Sequence, residues 1–205
     1  MDMVNILFHW RIKNYKGSFI VGFIKTKLLD AYLFEPKVFG DNRGFFMETY
    51  NAQLFEENGF TFNFIQDNHA LSNESGVLRG LHYQLEPFAQ TKIVRVTRGA
   101  VYDVIVDIRQ GSPTYGQWEG FILSEGNKRQ LLIPQGFAHG YCTLVENTEF
   151  LYKVDNYYSP EHDRGIAWDD PDLNIAWPTS NPILSDKDTK HPYLKDLERQ
   201  FIFKG

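Results

Sequence analysis

The chain is predicted to be all-β, a sandwich or barrel of many short strands. Three observations carry that prediction. Period-two hydropathy patterns are frequent and helical patterns scarce. Turn signals recur between the alternating stretches. Aromatic residues make up 16% of the 205 residues, and such rings fit the pleated, half-buried surface of a sheet.

In chain order, strands are expected at 28–35 and 44–50, separated by the turn signal F-G-D-N-R that begins at Phe39. Asn51 is placed to cap a short helix that runs through Glu57 and is stopped by Gly59, with Leu54 and Phe55 pointing inward. Further strands are expected at 61–66, 76–85, 91–98, 102–108, 117–124, 129–134, 138–144 and 148–157. The signals Q-G-S-P-T from Gln110, S-E-G-N-K from Ser124 and P-Q-G from Pro134 separate several of them. The clearest strand is 102–108: Tyr102, Val104, Val106 and Ile108 form one wholly apolar face, alternating with Asp103, Ile105 and Asp107. A second short helix is expected over 192–200. No internal repeat or low-complexity linker interrupts the pattern.

Length fits one domain, and a hydrophobic content of 42% supports a sizeable core. A net charge of −5 argues against a nucleic-acid or anionic-membrane partner, which needs a basic face, but leaves room for an anionic small ligand held by a few cations. Cys142 is the only cysteine, so no intrachain disulfide forms. No apolar run is long enough to span a bilayer, and the first residues do not make a signal peptide. The expectation is a cytoplasmic protein.

Residues 1–22 show no clear period. They read as an N-terminal extension that is poorly ordered, or as a stretch ahead of the true start, since no Met occurs between Met3 and Met47 and a later start would need a codon such as that of Val21. The rest, 23–205, reads as a single domain.

Candidate chemistry begins in residues 76–85, G-V-L-R-G-L-H-Y-Q-L. A histidine on a rigid strand lined by Leu78, Leu81 and Tyr83 has its basicity set by burial and one chosen partner, which suits a general base. Alone, it reads first as a satisfied core histidine, and the rest of the chain reverses that reading. Strict alternation puts Arg79 and His82 on opposite faces, and Gly80 between them marks a candidate bulge. In I-P-Q-G-F-A-H-G-Y (133–141), proline and two glycines force a tight corner before His139, a usual place for a ligand-facing group at a barrel mouth. Alternation in 149–154 puts Phe150, Tyr152 and Val154 on an inward face, where the Tyr152 phenol is either core or a proton donor. No H-x-H or H-x-x-x-H pair seats two metal ligands on one element, so no metal is expected, and G-x-S-x-G, the P-loop and G-x-G-x-x-G are all absent.

Six motifs carry a resemblance: E-P-K-V-F-G-D-N-R-G-F-F-M-E (35–48), Q-D-N-H (66–69), V-L-R-G-L-H-Y-Q (77–84), D-I-R-Q-G-S-P-T-Y-G-Q-W (107–118), I-P-Q-G-F-A-H-G (133–140) and Y-K-V-D-N-Y-Y-S-P (152–160). In order and without large gaps, from about residue 27 to 188, the chain resembles the dTDP-4-dehydrorhamnose 3,5-epimerase family. The resemblance implies a cupin-type antiparallel β-barrel or jelly roll with a few short helices, a homodimer, no metal and a dTDP-4-keto-6-deoxy-hexose substrate. It implies that His82 is the catalytic base, Tyr152 the acid, Asp188 the carboxylate paired with the histidine and Lys92 the lysine beside the sugar ketone. Arg43, Glu48, Gln66, Asn68, Arg79, His139 and Lys187 fall on ligand-contacting positions, and Tyr157 on the ring that stacks on thymine. Asp163 stands where some members have a ligand-binding glutamate.

The implied reaction is proton abstraction next to the C4 ketone, with epimerisation at C3 and C5. Relatives that epimerise one carbon, or that are ketoisomerases, are the alternatives within the enzyme class. A non-catalytic nucleotide-sugar binding module and a metal-dependent oxygenase on the same barrel are the alternatives outside it.

Overall fold

The computed structural model describes residues 22–197 and 201–204; the expectation for the N-terminal extension falls, apart from Gly22, outside the described residues. The strands are β1 (Gly22–Lys25), β2 (Tyr32–Glu35), β3 (Val38–Asp41), β4 (Gly44–Met47), β5 (Gln66–Ser72), β6 (Leu78–Gln84), β7 (Lys92–Arg98), β8 (Ala100–Asp107), β9 (Arg109–Gln110), β10 (Trp118–Ser124), β11 (Gln130–Ile133), β12 (Phe137–Thr143), β13 (Thr148–Val154), β14 (Asp163–Gly165) and β15 (Phe201–Ile202). The one α-helix among the described residues, α1 (Ala52–Glu57), has Asn51 as its N-cap, whose side chain accepts from the Leu54 amide. Phe55 is its buried residue. The second expected helix is a single 3-10 turn, Leu194–Asp196, and the chain is extended again at Leu197.

Two antiparallel sheets face each other. One has the order β1-β2-β11-β7-β13-β5, the other β10-β8-β12-β6-β14. The layer between them is built from inward residues of both: Val94, Leu131, Ile133 and Phe150 from the first, and Val101, Ile105, Leu123, Phe137 and Tyr141 from the second. Each outer face is also covered. On the six-stranded sheet, Phe34, Ile93 and Leu132 are roofed by α1 and by Phe60, Phe62 and Phe64. On the five-stranded sheet, Leu81, Tyr83, Val104, Val106 and Ala138 lie under the C-terminal segment through Ile166, Leu173, Trp177 and Phe201. The all-β, cupin-type expectation is met, and the cavity described below opens between the two sheets.

Three departures from the expected elements have physical causes. Residues 61–66 alternate because Phe60, Phe62 and Phe64 lay rings on the sheet, not because they join a ladder; the ladder starts at Gln66. The strand that follows, β5, is polar on its inward side and so lacks the apolar alternation that marks its neighbours. β3 and β4 form a separate two-stranded ribbon that turns between Asp41 and Gly44, so the F-G-D-N-R turn signal is a hairpin tip flanked by pairing on both sides.

The conflict between Arg79 and His82 is resolved by the β6–β12 ladder. His82 pairs with His139 and Arg79 with Tyr141, so three steps on β6 match two on β12. The extra residue is a bulge at Gly80, and it turns both side chains to the same side. Gly80 has φ +129°, and an added Cβ would stand 2.4 Å from the Gly140 Cα, so only glycine fits there. No helix among the described residues is long and apolar enough to cross a membrane.

Candidate active site

A cavity of about 440 Å³ opens between the two sheets. His82 and Arg79 reach it from β6, His139 and Tyr141 from β12, Lys92 from β7 and Phe150 and Tyr152 from β13. The segment Ile183–Asp188 supplies the remaining side. Leu78 donates its amide to the Ile183 carbonyl at 2.9 Å, and Ile183 donates to the Gly76 carbonyl at 2.9 Å, which clamps this segment alongside β6.

That clamp delivers Asp188 to His82. Asp188 is 4% exposed, and its Oδ1 lies 2.6 Å from His82 Nε2. Ser185 Oγ donates to Oδ2 at 2.7 Å. Burial pushes the Asp188 carboxyl up, but the side chains of His191, His82 and Ser185 that face it override this and hold the group well below the usual carboxylate range. For His82, burial is the larger influence and lowers its pKa against the pull of Asp188, with Lys92 and Lys187 adding to the lowering. The result is a neutral imidazole bonded to an anionic carboxylate. A carboxylate only accepts, so the bonded ring nitrogen carries the hydrogen and the other ring nitrogen holds a free lone pair.

On the facing sheet, burial raises the Tyr152 phenol above its ordinary value and keeps it protonated. Lys92 is partly buried; desolvation brings its ammonium down to about 8, while Asp163 and Asp103 hold it from falling further. It stays cationic at neutral pH with its charge available to a ligand. His139 is buried and bonds Asp103 through Nε2 at 3.0 and 3.1 Å. Burial raises the Asp103 carboxyl and His139 opposes this.

All four expected catalytic residues, His82, Tyr152, Asp188 and Lys92, therefore line one cavity, together with Arg79 and His139. A second set sits beside it without lining it. Asn68 pairs with Tyr152 across the β5–β13 ladder, and Gln66 donates to Asn68 Oδ1 at 2.9 Å. Asp163 accepts from the Tyr158 hydroxyl at 2.9 Å and forms an ion pair with Lys187. Tyr157 is 61% exposed near this rim, its carbonyl accepting from Gln84. Arg43 and Glu48 are not brought to the cavity. Arg43 sits at the tip of the β3–β4 ribbon, bonded to Asp41, and Glu48 follows the ribbon, accepting from Asn51.

Sequence reasoning missed Ser185, Asp103, Tyr158 and His191 as neighbours of this chemistry. Ser185 and His191 flank Asp188 at three residues on either side, a local spacing that does identify hydroxyl and imidazole partners of a carboxylate. The other two join through the fold. Among the described residues, His82, Asp188 and His191 are the group that brings potential metal-ligand atoms within 4.8 Å of one another. The 2.6 Å between His82 and Asp188 is hydrogen-bond spacing, shorter than the roughly 3 Å between neighbouring ligands of an ion bound at about 2.1 Å.

Comparison with known proteins gives consistent matches over most of the chain. The family model described as dTDP-4-dehydrorhamnose 3,5-epimerase matches residues 25–196. A dTDP-4-dehydrorhamnose 3,5-epimerase of Shigella flexneri is 60% identical over 166 residues, covering 80% of this chain and 91% of the relative. A crystal structure of the Bacillus anthracis dTDP-4-dehydrorhamnose 3,5-epimerase with TDP and PPi bound superposes with a TM-score of 0.83 at 55% identity, covering 85% of this chain and 99% of the other. The Legionella pneumophila dTDP-6-deoxy-D-glucose-3,5-epimerase in complex with dTDP-4-keto-L-rhamnose gives a TM-score of 0.87 at 45% identity, covering 91% and 100%.

Proposed function

The chain belongs to the dTDP-4-dehydrorhamnose 3,5-epimerase family, and from that premise we propose that it epimerises dTDP-4-dehydro-6-deoxy-D-glucose at C3 and C5, giving dTDP-4-dehydro-L-rhamnose for deoxysugar biosynthesis. It is an isomerase. The observation that carries the residue assignment is the placement of His82 and Tyr152 on opposite walls of one cavity, one from each sheet. Inversion at carbon needs a base on one face of the sugar ring and an acid on the other.

C3 and C5 both flank the C4 ketone, so loss of either proton gives an enolate, and one base serves both. Neutral His82 takes the proton, and Asp188 holds its tautomer and steadies the imidazolium that forms. General-base help of this kind is worth roughly 10²–10⁴-fold. Lys92 stabilises the negative charge that builds on O4, an electrostatic contribution of roughly 10²–10³-fold. Tyr152 returns a proton to carbon from the opposite face. The ketone is the electron sink, so the chemistry calls for no cofactor.

Arg79, at the cavity wall, and Arg43 are assigned to the diphosphate, whose oxygens match guanidinium in pairs. His139, Gln66, Asn68, Asp163 and Lys187 complete the polar lining and rim, and exposed Tyr157 offers a ring to thymine. Arg43 and Glu48 serve a site through a homodimer, in which the β3–β4 ribbon of one copy meets another. The exposure of Phe39, Phe45 and Phe46 at 51, 57 and 68% supports that reading. A cytoplasmic setting, in keeping with the single free Cys142, belongs to the same proposal.

The test is incubation with dTDP-4-keto-6-deoxyglucose in D₂O, followed by NMR at C3 and C5. Deuterium is expected at both carbons. Label at one carbon reduces the assignment to a monofunctional epimerase, and no label reduces it to a binding module.

A further inference from the structure

His191 lies outside everything assigned so far, yet its imidazole is packed against the dyad. Its side chain is only 10% exposed, and its ring meets that of His82 edge-on, with centroids 5.5 Å apart at 75°. Its Nε2 is fully buried, has no hydrogen-bond partner, and lies 3.7 Å from Asp188 Oδ1, the same oxygen that bonds His82. A buried polar nitrogen without a partner is costly, and native folds retain few of them.

A second observation, on a different element, points to the same ring. Gly165 is the β14 residue that pairs with His82. Its backbone is not among those with positive φ, so glycine is not required there by conformation. What it supplies is space. A Cβ at Gly165 would stand 2.5–2.6 Å from Nε2, Cδ2 and Cε1 of His191. The ring is held in that space from its own side too, because Ala167 donates its amide to the Pro192 carbonyl at 2.8 Å. The fold thus reserves a slot for an imidazole with one nitrogen facing the catalytic carboxylate.

We propose that His191 is a positioning residue of the epimerase: as the neutral Nε2–H tautomer it faces Asp188 Oδ1, sharing that oxygen with His82 and fixing the carboxylate's orientation. This rests on the epimerase reading of the cavity. Asp188 then has donors on three sides, from His82, Ser185 and His191. Because Oδ1 is shared, His191 also moderates how strongly Asp188 raises the basicity of His82. The other charged groups acting on His82 are Lys92 from β7 and Lys187 from the Asp188 segment. Neither replaces a donor to Oδ1.

Two variants separate positioning from packing. His191→Leu keeps bulk and removes the donor; His191→Gln keeps a donor near the Nε2 position. In His191→Leu, kcat is expected to fall about tenfold with KM little changed, as for loss of one hydrogen bond to a charged group. The acid limb of kcat/KM is expected to move upward by about half a pH unit or more, since Asp188 Oδ1 now serves His82 alone. His191→Gln is expected to return both toward wild type. A His191→Leu profile that overlays wild type, or a Gln variant no better than Leu, overturns the proposal.

If the Leu variant fails to fold, histidine ¹⁵N NMR of the unaltered protein decides. His191 in the Nε2–H tautomer supports the proposal, and the Nδ1–H tautomer overturns it. This readout needs no substrate. A wild-type protein that exchanges no deuterium therefore removes the epimerase reading, while the tautomer still reports whether His191 faces Asp188 as a donor.

Discussion

The cavity and the β3–β4 ribbon hold similar kinds of residue in opposite conditions. Both carry arginine, a carboxylate and aromatic rings. In the cavity, partners come from distant parts of the chain: His82 meets Asp188 across 106 positions, and His139 meets Asp103 across 36. In the ribbon, the arginine is tied to its own hairpin, Arg43 to Asp41 two residues away, and its rings are open to solvent. Cations merely rest on them, Lys37 over Phe39 and Lys128 over Phe45. Long-range pairing fixes the cavity groups in orientation before a ligand arrives, and local pairing fixes nothing beyond the hairpin. The cavity thus gathers its base, acid and cation candidates from one chain, while the proposed task of the ribbon needs a second molecule.

The sharpest way to break that contrast is at the base. His82→Ala is expected to remove solvent exchange at both C3 and C5, a loss of roughly 10²–10⁴-fold, because one imidazole serves both carbons. Loss at a single carbon would show that a second base exists and that the cavity is not organised around one dyad. Tyr152→Phe divides the reaction differently. Deuterium should still enter, since an enolate still forms and is reprotonated from the side it left, but net inversion should stop. Equal loss of exchange and inversion would count against Tyr152 as the acid.

The ribbon is predicted to behave unlike either. Phe46→Asp puts a charge on its most exposed ring and should shift the protein toward monomer by light scattering, with the melting temperature held, because little of that ring is buried within one chain. Arg43→Ala should raise KM about tenfold with kcat largely unchanged, as expected for a lost charge-assisted contact to diphosphate. A dimeric Phe46→Asp protein with wild-type KM would detach the ribbon from both assembly and binding.

Sequence legibility follows the same division. Strands with one dry face, such as β8, and the Asn51-capped helix were readable because their signals are local: alternation, a cap, a stop. β5 was not, since its inward residues Gln66, Asn68 and Ser72 are polar, so the strand lacks the apolar alternation that a dry face imposes. That His82, Lys92, Tyr152 and Asp188 meet in one cavity could be read from motif resemblance and not from spacing, because they lie on four separate elements. Whether Arg79 could share a face with His82 depended on the Gly80 bulge, whose position the ladder to β12 defines. His191 stands three residues after Asp188, so its nearness is a local signal, but the room for its ring comes from Gly165, and no residue pattern advertises an empty volume.

Lys92 gives effects with opposed consequences for activity and for stability. Its ammonium is brought down to about 8 by burial, from an ordinary value near 10.5. Activity needs the cation beside O4, so kcat/KM should trace a bell: a rise at pH below 6.5 as His82 loses its proton, then a fall through about 8 as Lys92 does. Stability runs the other way on the basic side. Between about 8 and 10.5 the unfolded chain holds the Lys92 proton and the folded one does not, so this group's contribution to stability rises with pH. At neutral pH it costs the fold, on the order of 1 to 3 kcal/mol for a partly buried amine. Lys92→Met should therefore lose roughly 10²–10³-fold in activity yet resist urea better than wild type at pH 7, the advantage shrinking by pH 10. Urea unfolding at both pH values checks the sign. A methionine variant less stable than wild type at pH 7 would mean that Lys92 is held by favourable pairing, and that the cavity carries no strain for the sake of its charge.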